Sequence, residues 1–275
     1  MSLGIVFKGP EGMVLAADSR VTLTFQQPPI GNPMLPPSAT VLLHSTFDNA
    51  TKLLKVKGQD YVGAVTYGMG AIGLAAPRTA HSFIPEFEAE LSTQGRLPVA
   101  DFAQRLSDFF MRQWTIHMQG YIGQDYMVFL VGGFDPDAPY GRVFEINIPF
   151  QPQPHEWYEN TFGPVWGGQR EFTDRLLNGF DPRLADLLTN TLSLDGNQRT
   201  QMENALRQLS VPIPYQFLPL QDCVDLSIML IRTTRSIQTF YVGVRGVGGA
   251  IDVATSLARM AFNPYKGRKL RASHS

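Results

Sequence analysis

The chain has 275 residues, with 23 Lys plus Arg against 24 Asp plus Glu, so its formal net charge is −1. That balance excludes a nucleic-acid reader working through a globally basic face, and 44% hydrophobic with 17% charged residues is the composition of a folded domain. No apolar run approaches the roughly 18 residues of a membrane span, and the opening MSLGIVFKGPEG carries Lys8 and Glu11 where a signal peptide would have an apolar core. A cytoplasmic chain with no membrane partner is expected. The single cysteine, Cys223, excludes an internal disulfide and a multi-cysteine zinc site; no metal and no cofactor are expected.

Two short apolar runs, LGIVFK (3–8) and MVLAAD (13–18), surround Gly9-Pro10-Glu11-Gly12 and predict a β-hairpin at the start of the chain. Five prolines in QQPPIGNPMLPPSAT (26–40) forbid helix and central strand, so a surface loop is expected there, within an insertion over about 24–47. LLKV (53–56) and YVGAVTYG (61–68) predict a second hairpin. Helical spacing follows over 74–91 and 99–118, where Phe102, Leu106, Phe109, Phe110 and Trp114 share one face.

MVFLVGGFD (127–135) and GRVFEINI (141–148) read as a third hairpin, and FGPVWG (162–167) as a further strand. Helical patterns return at 168–178, 183–192 and 196–208, and again at about 220–236 after the proline-rich VPIPYQFLP (211–219). The apolar stretch 240–254 reads as strands around a glycine-rich turn. YKGRKLRASHS (265–275) is a basic, polar tail. Strands in hairpins and helices in pairs predict an α+β domain of antiparallel sheets covered by helices, not a parallel doubly wound fold.

The first hairpin has chemical consequences. With Lys8 and Gly12 flanking its loop, paired positions sum to about 20, which places Ser2 opposite Asp18 to within one residue. A small second residue normally permits removal of the initiator Met1, and removal would leave a free α-amine on Ser2. With an ordinary pKa near ~8, that amine is partly neutral at physiological pH and can take the proton of its own hydroxyl during attack.

The stretch GIVFKGPEGMVLAADSRVT (4–22), with its Ala16-Ala17-Asp18-Ser19-Arg20, resembles the opening of proteasome β subunits and their bacterial relatives of the ancestral β-subunit and β-proteobacterial homologue types. These are N-terminal nucleophile hydrolases. The resemblance implies a single domain over 1–264 with a four-layer αββα sandwich, two mostly antiparallel sheets lying between helical layers, and a helical insertion at about 180–219. It implies peptide-bond hydrolysis with Ser2 as nucleophile, where most members have threonine, and Asp18 as a catalytic partner.

TKLLKV (51–56) matches the family's next landmark and makes Lys52 the lysine beside the nucleophile, which would lower the pKa of the Ser2 amine or hydroxyl and be held by Asp18. YVGAVTYGMGAIG (61–73) matches the strand whose end supplies a backbone oxyanion donor, Gly68, with Thr66 and Tyr67 bordering the substrate pocket. Gly167 stands where the family has a turn serine, and the family's second aspartate has no clear counterpart, Asp252 belonging by pattern to the last strand. The resemblance also implies a peptide or unfolded-protein substrate and a homo-oligomeric ring or array; any ATPase partner is left open.

Other readings have less support. Gly68-Met69-Gly70-Ala71-Ile72-Gly73 is a formal G-x-G-x-x-G, but Pro77 and Pro85 interrupt the helix it would need, and no second parallel strand follows within about 30 residues. The five histidines are scattered, and neither H-E-x-x-H nor G-x-S-x-G occurs. Cys223 among apolar neighbours reads as a buried thiol. The rival from another class is a non-catalytic, ring-forming scaffold subunit, to which retention of Met1 would point. A third reading keeps the chemistry and makes the substrate a small amide.

Overall fold

A computed structural model describes residues 2–27, 41–258 and 260–264 of the chain. In chain order the strands and helices begin with β1 (Leu3–Lys8), β2 (Met13–Asp18), β3 (Val21–Gln27), β4 (Val41–Phe47), β5 (Leu53–Leu54) and β6 (Val62–Gly68). Then come α1 (Ile84–Leu91), α2 (Val99–His117), β7 (Met127–Gly133), β8 (Arg142–Ile148), β9 (Gln151–Trp157) and β10 (Gly163–Gly168). The remaining elements are α3 (Glu171–Leu177), α4 (Arg183–Leu192), α5 (Gly196–Arg207), α6 (Leu220–Gln238), β11 (Ile251–Leu257) and β12 (Met260–Pro264).

One sheet runs β10-β1-β2-β11-β12 and a second runs β5-β6-β7-β8-β9, with every pair in both antiparallel. Three apolar cores follow. Phe102, Leu106, Phe109 and Phe110 of α2 pack with α1 against Phe129, Val131 and Ile146 of the second sheet. Val6, Leu15, Ala17, Val65, Val128 and Leu130 meet between the sheets. Val224, Leu230 and Ile231 of α6 cover Leu3, Ile5, Val14 and Ala16 on the first sheet's other face. The period-2 alternation of β1 and β2 divides their side chains between the last two cores, so both strands are buried on both faces.

Several expectations need correction. The first hairpin turns through Pro10 and Glu11, with Gly9 N–H donating to the Gly12 carbonyl at 2.9 Å. Its pairs therefore sum to 21, as in Gly4 opposite Ala17. The expected loop over 24–47 is flanked by strands, β3 pairing with β4 from Val21–Phe47 to Gln27–Val41; its proline-rich part, 28–40, lies outside the described residues, as do Met1 and the tail 265–275.

The helix expected from 74 begins at Ile84, with Pro85 in its first turn, where a missing N–H costs nothing. QPQPHEW was not expected as a strand, yet it forms β9 at a sheet edge, where proline is tolerated. Residues 240–250 are not strand; β11 starts at Ile251. Helices α4 and α5, inside the expected insertion at 180–219, bury none of their side chains. Among the described residues no helix is long and apolar enough to cross a membrane.

Candidate active site

Asp18, the last residue of β2, is fully buried. Its Oδ1 accepts from Lys52 Nζ at 2.7 Å and from the Leu3 N–H at 3.0 Å; its Oδ2 accepts from the Gly248 N–H at 2.9 Å and the Arg20 N–H at 3.2 Å. A carboxylate with four donors is compensated for burial, which an unpaired one would not be. Lys52 immediately precedes β5 and is equally buried. Burial pushes its ammonium below the ordinary lysine range, and Asp18 opposes that by charge and hydrogen bond.

Ser2 is buried, and its carbonyl accepts from the Gln169 N–H at 2.7 Å. Gly168, beside it at the end of β10, has φ +94°, and a Cβ there would overlap the Ser2 carbonyl. Ser2 lines a cavity of about 20 Å³ with Thr51, Lys52, Thr66, Tyr67 and Met69. That is room for about one water molecule. The Thr66 N–H donates to the Lys52 carbonyl at 3.0 Å, and its buried Oγ1 has no partner among the described residues. The expected set of Ser2, Asp18, Lys52, Thr66 and Tyr67 thus converges where the two sheets meet.

Gly68 ends β6 opposite Met127 with φ +93°, a conformation in which a Cβ would overlap the Tyr126 carbonyl. It stands between Tyr67 and Met69, both of which line the Ser2 cavity. Gly167, expected at the substrate site, stands in β10 one residue before the Gly168 that adjoins the Ser2 carbonyl. It pairs with Gly4, and a Cβ on it would overlap the Tyr67 ring, so this glycine makes room for an aromatic side chain. Tyr67 Oη reaches Glu145 Oε1 at 3.4 Å, and burial raises its pKa.

Further residues complete the site: Ser19 and Arg20 of the Ala16–Arg20 motif, and Asp48 and Gln238, which the sequence did not mark. Ser19 Oγ donates to the Asp48 carbonyl at 2.6 Å, and Arg20 forks onto Asp48 through Nε at 2.6 Å and its terminal nitrogen at 2.8 Å. Gln238, the last residue of α6, accepts from the Val247 N–H at 2.9 Å and hydrogen-bonds the Gln169 side chain. It thereby holds the glycine loop against Asp18. That loop was readable only as a turn; its part in the site depends on tertiary closure.

The formal G-x-G-x-x-G opens no helix, and β6 pairs antiparallel with β7, so the dinucleotide reading fails on topology. Among the described residues no group of three or more His, Cys, Asp or Glu is placed to hold a metal ion. A larger cleft, about 570 Å³, begins at Gly168 and Gln169 and is lined further by Arg170, Glu171, Arg183 and Tyr241.

No protein-family model and no curated protein matches this chain. Its fold does match solved structures. The Anbu (Gly-1) mutant from Hyphomicrobium sp. strain MC1 superposes with a TM-score of 0.54 at 13% identity, over 96% of this chain and 87% of that one. Anbu (ancestral beta-subunit) from Yersinia bercovieri gives 0.54 at 14% identity, over 95% and 86%. At such identities the likeness is one of fold. This chain has a proteasome-like fold, of mixed α and β structure with antiparallel sheets.

Proposed function

We propose that the protein is a proteasome-like peptidase that cleaves peptide bonds with Ser2 as an N-terminal nucleophile, after removal of Met1. The observation that carries this reading is the convergence of three buried groups. Ser2 shares a cavity with Lys52, and the Lys52 ammonium is held 2.7 Å from Asp18. A structural ion pair has no need of a serine at the chain's second residue beside it. The likeness in fold to Anbu supports the same reading, as do the apolar cores between the two antiparallel sheets and under the helices. The architecture proposed is a four-layer sandwich in a single domain over 1–264.

In the proposed reaction the Ser2 α-amine takes the Oγ proton as Oγ attacks the carbonyl carbon. The nearby Lys52 charge keeps that amine neutral, and the Gly68 N–H faces the developing oxyanion. Collapse breaks the C–N bond, the departing amine takes the proton, and an ester remains on Ser2. Water then attacks the ester and releases the second product. The cleft beginning beside the Ser2 carbonyl offers space for substrate, and the exposed Phe217, Phe240 and Val242 offer apolar surface for contact between subunits of a homo-oligomer. The setting proposed is the cytoplasm.

The test is intact-mass spectrometry before and after treatment with a peptide β-lactone or epoxyketone. Loss of Met1 with one adduct mapped to Ser2 is expected. Retained Met1 and no adduct, in protein made by a host with active methionine aminopeptidase, would overturn the reading and leave the scaffold subunit.

A further inference from the structure

We infer that Asp252 is a positioning residue, a second carboxylate that holds Lys52 as an ammonium ion beside Ser2; the inference rests on the hydrolase reading above. The strand registers carry it. Gly167 lies opposite Gly4, Gly4 opposite Ala17, and Ala17 opposite Asp252. Directly opposed residues of antiparallel strands share a face, so these four form one row across the first sheet. The row faces the second sheet. A Cβ on Gly167 or Gly4 would meet the Tyr67 ring of β6, and Ala17 belongs to the core between the sheets. Asp252 ends the row on β11, and β11 lies against β5, which Lys52 immediately precedes.

The two carboxylates around Lys52 differ in kind. Asp18 spreads its charge over three backbone N–H groups as well as the ammonium. Asp252 is half-buried, and no described donor hydrogen-bonds it. Its charge is shared with no described protein donor and acts on Lys52 through space. Burial raises the Asp252 pKa while Lys52 and Asp18 act on it in opposite directions, and Asp252 in turn opposes the loss of the Lys52 proton. The other charged groups around Lys52 are Asp18 and Arg20, with Asp48 held by Arg20. The proposed α-amine of Ser2 would be the next. A retained ammonium is what keeps that amine neutral and able to accept the Ser2 proton.

The experiment measures the rate of Ser2 labelling by a peptide β-lactone, by intact mass, from about pH 6 to 10, for the wild type, D252N and D252E, with thermal melting of each. For D252N we expect slower labelling and an alkaline limb moved down by about one pH unit, as loss of a neighbouring opposite charge demands. D252E, which returns the charge, is expected to restore the limb. A residue that merely supported the strand would lower melting and leave the limb in place. A labelled wild type whose pH profile matches that of a folded D252N overturns this inference and leaves the hydrolase reading intact. A wild type that is never labelled overturns the hydrolase reading, and this inference falls with it.

Discussion

The ring of Tyr67 occupies the space that a Cβ on Gly167 would need, although the two residues belong to different sheets. A serine in place of Gly167 would have to displace an aromatic ring at the core between the sheets.

G167S is therefore expected to destabilise the fold by about 1–3 kcal/mol, as overpacking does. The pair Y67L/G167S should recover part of that loss, because the shorter side chain withdraws from the site. Denaturant melts of the two variants and of Y67L alone check this; a G167S protein as stable as the wild type would show that Tyr67 moves freely.

The Asp18–Lys52 pair predicts a coupled loss. K52M leaves the Asp18 carboxylate buried with backbone donors only, and D18N leaves Lys52 buried without its main partner. Each should cost about 3–5 kcal/mol, the range for removing one partner of a buried pair. The double variant K52M/D18N should lose less than the sum. All three are expected to lose Ser2 labelling, including preparations that remain folded by circular dichroism.

Asp252 predicts a pH-dependent stability difference. Its folded pKa is raised, chiefly by burial, so the folded state binds the proton more tightly than the unfolded chain. The stability it contributes is present below the ordinary aspartate pKa near 3.8 and is lost as pH rises through the raised value. D252N should melt above the wild type at pH 7, and the gap should close below about pH 3.8. Melts across that range test the sign; a D252N protein that melts lower at pH 7 would show the carboxylate to be net stabilising.

Gly249 has φ +71°, and a Cβ there would overlap the Asp48 carbonyl and Ser19 Oγ. G249A is expected to cost about 1–3 kcal/mol and to slow labelling of Ser2, because Gly248, its neighbour, donates to Asp18. G95A, where a Cβ meets nothing within 4 Å, is the control and should leave labelling unchanged.

What was legible in the sequence was local. Two short apolar runs around Gly9–Gly12 specify the hairpin that brings the Leu3 N–H onto Asp18, and the register falls within the one residue expected, shifted because the turn uses two residues, not three. Helix α2 follows from its 3.6-residue apolar spacing. The edge strand β9 was hidden because Pro152 and Pro154 argue against a strand until its place at the sheet margin is known. Asp252 and Gly248 were hidden for another reason. Nothing near them in sequence marks them; only the pairing of β11 with β2 and the closure of the 239–250 loop bring them to the site.

Asp18 draws its four donors from the chain's first strand, the residue two beyond Asp18 itself, the lysine before β5 and a glycine 230 positions later. A nascent chain emerging from the ribosome has the serine, the aspartate and the lysine early, yet it lacks the last member of the carboxylate's shell until residue 248 has been made. Under the hydrolase reading the nucleophile is armed only when the 239–250 loop reaches Asp18. A truncated or half-made product leaves Asp18 short of one donor, and the cutting chemistry stays off until the whole domain has closed around it.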